Sequence, residues 1–175
     1  PLALETTMRE SEIARMNIDD VDFEKGELMI WARKHPTNKE TNDQVIPLTE
    51  EARKVLREYL TLGIHTKGKP LFWPVNPKNM SDMFNTMAKK CGINEVGSSV
   101  KSNFNNLTFH DLRHEAITRL FAEGFKAEEV MLFSGHTDMK SLLIYVNLTP
   151  SDVLRAKEIR RVIMEHRLDE ISLAL

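Results

Sequence analysis

Apolar residues recur three or four positions apart through most of this 175-residue chain, and few stretches depart from that spacing. Such spacing gathers apolar side chains on one face of a helix, so it favours a domain built mainly from amphipathic helices. A chain of this length can bury one substantial hydrophobic core. We therefore predict an α+β domain that is mostly α-helical and carries a small antiparallel β-sheet or hairpin.

The hairpin is predicted from two short apolar runs that a polar loop joins. Residues 28–31 (Leu-Met-Ile-Trp) and 45–48 (Val-Ile-Pro-Leu) have the composition of strands, and the loop 34–44 between them contains two lysines. This arrangement is typical of a β-hairpin with a long tip. A further brief extended piece is predicted at residues 71–73.

Helices are predicted where the apolar spacing follows a capping residue. Thr49 and Thr108 suit helix N-caps, and Gly124 suits the position just after a helix end. Tyr59 falls on the apolar face of its helix, which predicts a core position. The predicted helices cover residues 2–16 with a break at Thr6-Thr7, 50–63, 81–92, 108–123, 127–133, 139–145 and 151–167.

Cysteine content and hydropathy exclude several classes of protein. The single cysteine, Cys91, excludes an internal disulfide and a cysteine-cluster metal site, and it fits a reducing compartment. The longest apolar run, Leu142 to Val146, is far too short to span a membrane, and no signal or transit peptide is visible. Because the first residue is Pro1 rather than Met, we expect a fragment of a longer protein.

Net charge at first argues against nucleic-acid binding, because nucleic-acid-binding domains are usually basic and this chain carries a net charge of -2. The charge is segregated, however. Residues 1–30 carry a balance of -5, residues 31–101 a balance of +5 and the remainder a balance of -2. A cationic middle segment between acidic flanks keeps a phosphate-binding surface possible.

Three residue clusters stand out as candidates for chemistry. Residues 7–12 (Thr-Met-Arg-Glu-Ser-Glu) lie at the predicted helix break, and residues 110–114 (His-Asp-Leu-Arg-His) lie in the first turns of a capped helix. Residues 134–136 (Ser-Gly-His) precede Tyr145, which follows His136 by nine residues. Each cluster alone also fits an ordinary role, since a tyrosine in an apolar run is more often a core residue.

Taken together and in this order, the clusters resemble the catalytic domain of the tyrosine recombinase (phage integrase) family. The family pattern is an arginine at a helix break, a lysine on a β-hairpin, His-x-x-Arg, Gly-His and a tyrosine. The resemblance covers nearly the whole chain. The matching residues are Arg9, Lys39, His110, Arg113, Gly135, His136 and Tyr145.

The resemblance implies that Tyr145 attacks a DNA phosphodiester, forms a 3′-phosphotyrosine and releases a 5′-hydroxyl. It implies that Arg9 and Arg113 hold the scissile phosphate, and planar guanidinium groups match phosphate oxygens bidentately. A phenol with an ordinary pKa of about 10 is a poor nucleophile at neutral pH, so it needs nearby cations or a base. The covalent intermediate conserves the bond energy, so rejoining requires no ATP.

The remaining roles concern proton transfer and support. The resemblance implies that Lys39 protonates the leaving 5′-oxygen and that His110 and His136 support proton transfer and phosphate contact. It gives Glu12 and His114 supporting roles. His110 and His114 also have the i, i+4 spacing of a zinc site, but the residue after the first histidine is Asp rather than Glu and no third ligand follows. We predict no metal and no cofactor.

Two lysines compete for the hairpin position. The family lysine precedes the proline of the second strand by about eight residues, which favours Lys39, and Lys34 is then a possible contact to the DNA backbone. Residues 42–44 (Asn-Asp-Gln) stand where many relatives carry basic residues, so we expect a weaker DNA grip by this loop.

The implied function is site-specific recombination or integration of double-stranded DNA, as in mobile elements, by protomers that assemble as dimers or tetramers in a synapse. The implied location is the nucleoid in the cytoplasm. Two alternatives remain open at this point. One is a type IB topoisomerase-like activity that relaxes supercoils, and the other is a DNA-binding domain that has lost activity.

For domain organisation, the resemblance implies that residues 1–175 form the catalytic domain, slightly cut at its N-terminus, without the core-binding domain that family members usually carry. Residues 151–175 form a predicted amphipathic helix and tail with a broad apolar stripe. This segment either docks onto a neighbouring protomer or completes its own core.

Overall fold

The computed structural model describes residues 1–34, 42–94, 106–145, 149–151, 154, 157–158 and 161. Within that part, the chain is mostly helical and carries one small three-stranded antiparallel sheet, which confirms the predicted fold class. The helices are α1 (Leu2–Thr6), α2 (Glu10–Arg15), α3 (Glu50–Thr61), α4 (Pro77–Lys90), α5 (Phe109–Ala122), α6 (Ala127–Ser134) and α7 (Met139–Leu143). The strands are β1 (Val21–Asp22), β2 (Glu27–Ile30) and β3 (Gln44–Pro47).

The sheet has the strand order β1-β2-β3, with β2 paired antiparallel to both neighbours. Leu28 lies opposite Ile46, and both side chains are buried. Met29 and Val45 form the next pair and point to the other face, because side chains alternate along a strand. The predicted hairpin is therefore present, with a register that sends Leu28, Ile30 and Ile46 into the core.

Two apolar clusters form the interior. The first combines α1, α2, the sheet and α3, and Tyr59 packs against it with its ring centroid 4.8 Å from that of Phe72. The second combines α5, α6 and α7 and includes Tyr145. The segments that carry the candidate residues meet between these two clusters. Among the described residues, no helix has the length and apolar character needed to cross a membrane.

Several predicted boundaries and faces differ from the structure. Helix α4 begins at Pro77 rather than at residue 81, because Asn76 accepts the amide N–H of Asn79 and proline suits the first helical position. Met83 and Met87, expected on its apolar side, are exposed.

The segment 71–73 is a turn rather than an extended piece. Leu71 is nevertheless buried, and its amide donates to the carbonyl of Met16. Helix α7 ends at Leu143, two residues before its predicted end at Tyr145. The predicted last helix lies largely outside the described residues, as does most of the predicted hairpin tip.

Candidate active site

Arg113 lies in the second turn of α5, and its side chain is buried between the two apolar clusters. Thr108 and Asp111 cap the helix start, since the Asp111 carboxylate accepts the Thr108 amide N–H at 2.7 Å. The guanidinium donates to the carbonyl of Thr7 and, at 2.7 Å, to the carbonyl of Ser134. Neutral carbonyls hold this cation, so its positive charge stays available to an anion.

The break between α1 and α2 turns the Thr7 carbonyl toward Arg113. Thr7 has a φ of 54°, in the left-handed region that a β-branched residue rarely adopts. Such strain is common at functional sites, where surrounding contacts hold it. Burial, followed by the nearby charge of Arg9, lowers the pKa of Arg113 to about 10, so the guanidinium remains charged at neutral pH.

Arg9 caps α2 and is held by Glu12, three residues later. The Glu12 carboxylate accepts the Arg9 backbone N–H at 2.9 Å and its Nη1 at 2.8 Å. Although burial raises the pKa of Glu12, the charges of Arg33 and Arg9 outweigh it and hold that pKa below its ordinary value. Glu12 is therefore an ionised carboxylate whose place depends on two arginines.

Arg33 was not a sequence candidate, yet it is fully buried at the end of the hairpin. Its Nε lies 3.1 Å from Glu12 Oε1, and its Nη2 donates to the carbonyl of Phe133 at 3.1 Å. Burial lowers the pKa of Arg33, and the Glu12 charge opposes that shift. Sequence reasoning missed this residue because an arginine beside a polar loop carries no sign of burial.

Gly135 ends α6 with a φ of 66°, a conformation that glycine adopts without strain. A Cβ at this position would lie 2.5 Å from the Arg33 guanidinium. His136 follows, and its Nδ1 shares a hydrogen bond of 2.8 Å with Ser134 Oγ. Burial, then the charges of Arg113 and two further arginines, lowers the pKa of His136 to about 4, so its ring is neutral at neutral pH.

Tyr145 is buried, with 6% of its surface exposed, and its ring lies near two histidine rings. The ring centroids are 4.3 Å apart for His114 and Tyr145, and 5.3 Å apart for His136 and Tyr145. Thr118 donates its hydroxyl to the Tyr145 carbonyl at 3.2 Å, which fixes the backbone just after α7.

A cleft of about 360 Å³ opens beside Arg113, and its lining includes neither Tyr145 nor His136. Arg9, Lys34, His110 and Arg113 line it together with Glu10, so three cations, an imidazole and one acidic residue border one space. Burial, followed by the neighbouring His114 and Arg113, lowers the pKa of His110 and favours its neutral form. A cleft with this lining suits one phosphate group, because guanidinium groups bind phosphate oxygens strongly.

The structure thus brings most of the predicted site residues together. Arg113 links the cleft to the region around Tyr145. It lines the cleft, and it hydrogen-bonds to the Ser134 carbonyl in the segment that leads to His136. Lys34 lies at the cleft, whereas Lys39 lies outside the described residues. Within the described part of the chain, no group of three or more His, Cys, Asp or Glu side chains is placed to hold a metal ion.

The chain matches the family model for the phage integrase family over residues 1–152. It is 29% identical over 161 residues to the shufflon-specific DNA recombinase of Escherichia coli, covering 91% of this chain and 36% of that protein. It is 27% identical over 158 residues to tyrosine recombinase XerC of Corynebacterium glutamicum, covering 86% of this chain and 46% of that protein. The chain therefore spans less than half the length of either relative.

Solved structures show the same fold. The crystal structure of XerA recombinase matches with a TM-score of 0.66 and 24% identity, covering 94% of this chain and 56% of that one. The Tn1549 transposon integrase in complex with transposon right end DNA matches with a TM-score of 0.66 and 22% identity, covering 91% of this chain and 56% of that one. The predicted catalytic-domain fold is therefore confirmed.

Proposed function

The chain belongs to the phage integrase (tyrosine recombinase) family, and on that premise we propose that it is the catalytic domain of an enzyme that cuts and rejoins DNA strands. The observation that carries this proposal is the position of Arg113. It lines a cationic cleft together with Arg9 and His110, and its guanidinium donates to the neutral carbonyls of Thr7 and Ser134. A buried cation arranged in this way stabilises charge that develops on a phosphoryl group.

In the proposed reaction, the phenol oxygen of Tyr145 attacks the scissile phosphorus and the bond to the 5′-oxygen breaks. The products are a 3′-phosphotyrosine and a 5′-hydroxyl, and attack by another 5′-hydroxyl rejoins the strand without ATP or a metal ion. His136 lies against the Tyr145 ring, which places it to support proton transfer and phosphate contact in this step. Glu12 and His114 keep Arg9 and Tyr145 in place.

A hairpin lysine completes the proposal, because a 5′-alkoxide leaves poorly unless it is protonated. The sequence favours Lys39 for this role. Lys34 lines the cleft with Arg9 and Arg113, so its ammonium is a direct competitor for the same proton transfer.

We extend the proposal to partners on the basis of family membership. The substrate is double-stranded DNA, and protomers assemble on it as a dimer or tetramer, with residues 151–175 docking in trans. The enzyme acts in the nucleoid and serves integration or recombination, as in a mobile element. The Tn1549 integrase solved with transposon DNA supports the choice of substrate.

Covalent trapping tests this function without knowledge of the target site. The chain is incubated with a random-sequence library of nicked suicide duplexes, and DNA that stays bound after denaturation is sequenced. We expect adducts from the wild type and from Tyr59→Phe but none from Tyr145→Phe. If the wild type formed no adduct, both the recombinase and the topoisomerase hypotheses would be contradicted, because both require a covalent protein–DNA intermediate. Relaxation of plasmids that lack the recovered sequence would favour the topoisomerase.

A second arm of the experiment assigns the lysine. The recovered duplex is prepared with a 5′-bridging sulfur at the scissile position, because a thiolate leaves without protonation. We expect the variant that lacks the proton donor, either Lys34→Met or Lys39→Met, to be slow on oxygen and to recover on sulfur. The other lysine variant should react alike on both substrates.

A further inference from the structure

Arg33 is the most completely buried cation of the described chain that the proposed reaction does not use. Its guanidinium reaches three segments, since it hydrogen-bonds to Glu12 of α2, to Gln44 Oε1 of β3 at 3.1 Å and to the carbonyl of Phe133 in α6. These segments are far apart in sequence. Burying a charge destabilises the folded state strongly unless an opposite charge and hydrogen bonds compensate it, so we expect a specific partner for this cation.

The partner is the same carboxylate that holds Arg9. Glu12 Oε1 accepts from Arg9 Nη1 at 2.8 Å and from Arg33 Nε at 3.1 Å, and Glu12 Oε2 accepts from the Arg9 backbone and from Arg33 Nη2. One negative charge is therefore shared between two guanidinium groups. Without Arg33, the full carboxylate charge would fall on Arg9 and compete with a phosphate for it.

The hairpin is built to hold Arg33. Its backbone N–H donates to the carbonyl of Asn42 at 2.8 Å, and Asn42 Nδ2 donates to the Arg33 carbonyl at 3.1 Å. The Asp43 carboxylate accepts the amide of Ala32, whose φ of 46° turns the chain. The polar residues 42–44 are thus partners of the Arg33 segment.

The other side of the guanidinium rests on Gly135. The space that a Cβ would fill there is occupied by the Arg33 guanidinium, so the two residues require one another. Because His136 follows Gly135 directly and Lys34 follows Arg33 directly, both neighbours depend on this contact for their positions.

We propose that Arg33 is a positioning residue for the phosphate site: it neutralises Glu12, so that the carboxylate orients Arg9 without cancelling its charge, and it anchors the hairpin so that Lys34 faces the cleft. This inference rests on the proposed function, because its benefit appears when a phosphate binds. Arg33 itself touches no substrate.

The test compares Arg33→Met, Glu12→Gln and the double variant on the duplex recovered by trapping. At saturating protein, Arg33→Met should slow adduct formation about 100-fold, while the DNA dissociation constant changes by less than about threefold. The double variant buries no lone charge, and it should recover at least about tenfold of the rate because Arg9 is released. Because Glu12→Gln also removes the under-compensated buried carboxylate and so restores stability, the rates are compared per folded molecule, where a purely structural Arg33 predicts no slowing in any of the variants.

Controls separate folding from positioning. Leu56→Ala destabilises the first apolar cluster away from the cleft, and Arg119→Met removes an exposed arginine of α5. Both should keep the wild-type rate per folded molecule. An unchanged rate in Arg33→Met, or a double variant as slow as the single one, would overturn the proposal.

A measurement without DNA distinguishes failure of this inference from failure of the proposed function. Inorganic phosphate is titrated into nitrogen-15-labelled chain, and the amide shifts of Arg9 and His110 report binding at the cleft. Arg33→Met should weaken phosphate binding at least about tenfold, and the double variant should restore part of it. If the wild type forms no DNA adduct, the function fails, whereas equal phosphate affinity in wild type and Arg33→Met refutes the role of Arg33.

Discussion

The two halves of the site are held together by different physics. On the carboxylate side, Arg9 and Arg33 share Glu12 through ionic hydrogen bonds of 2.8 to 3.1 Å. On the ring side, Tyr145 lies near two histidine rings at centroid distances of 4.3 and 5.3 Å. Charge-assisted bonds fix position strongly, whereas ring contacts fix it weakly. The difference separates a half that ionic hydrogen bonds hold rigidly from a half that ring contacts hold more loosely.

Arg113 links the two halves because it interacts electrostatically with Arg9 on one side and with His136 on the other. Burial is the main cause of the lowered pKa of both Arg113 and His136; the charge of Arg9 adds to the first shift, and the charge of Arg113 adds to the second. Burial and the arginine charges together keep His136 uncharged at neutral pH. A neutral imidazole can accept a hydrogen bond from a phenol, which an imidazolium group cannot do.

Replacing Arg113 by Met is expected to have the largest effect on reaction and a small effect on folding. The charge costs the fold about 3 kcal/mol, as the lowered pKa indicates, and its removal offsets about 1–3 kcal/mol for each carbonyl left unpaired. The free energy of unfolding should stay within about 2 kcal/mol of the wild type, while adduct formation falls at least about 100-fold. Denaturant titration and covalent trapping measure the two quantities.

This outcome would set Arg113 apart from the carboxylate side. Breaking a buried ion pair costs about 3–5 kcal/mol, and in Arg33→Met the Glu12 carboxylate keeps only one of its two guanidinium partners. If Arg113→Met unfolded the chain as severely as Arg33→Met does, neutral carbonyls and a carboxylate would be equivalent partners, and the comparison would fail.

The sequence predicts the candidate residues Arg9, Arg113 and Tyr145 better than it predicts the buried Arg33 of the carboxylate side. Arg9, His110, Arg113 and Tyr145 were recognised by order and spacing, and the helix break at Thr7 followed from local pattern. Arg33 could not be found in this way, because its burial depends on contact with Phe133, 100 positions away. Hairpin boundaries are also poorly defined by local sequence, which is why the choice of Lys39 over Lys34 depends on the family spacing alone.

Local propensity failed in a different manner at α4. The apolar spacing of Met83 and Met87 predicted an inward face, yet both side chains are exposed. Periodicity reports that a helix has an apolar face, but it does not report whether another element covers that face.

Gly135→Ala sharpens the comparison at the point where the two halves touch. The substitution combines a φ of 66° with a Cβ placed 2.5 Å from the Arg33 guanidinium. Gly63→Ala is the matched control, since Gly63 has a φ of 64° and an added Cβ there meets nothing within 4 Å. We expect about 1 kcal/mol of destabilisation in the control and about 1–3 kcal/mol more at Gly135 from overpacking. If thermal or urea unfolding showed equal losses of stability in the two variants, the Arg33 side chain would be able to move aside at little cost in free energy.

The smallest expected effect is the pH dependence that His136 gives to stability. The pKa of His136 in the folded chain is about 4, below its ordinary value of 6.5. Between these two pH values the unfolded chain therefore binds a proton at His136 that the folded chain does not bind. Stability is therefore complete above about pH 6.5 and falls as the pH drops toward about 4. The shift corresponds to at most about 3 kcal/mol, and since the ring is half-buried, solvent screening reduces the effect to about 1 kcal/mol.

Urea unfolding of wild type and His136→Asn at about pH 7 and about pH 5 measures this contribution. The variant should lose less stability on acidification than the wild type, and adding His110→Asn should flatten the profile further, because the pKa of His110 is lowered in the same direction. Both imidazoles are held neutral by burial and by the arginines around the cleft. Parallel profiles for wild type and both variants would mean that burial and the arginine charges do not hold the rings neutral, and the electrostatic link between the two halves would be lost.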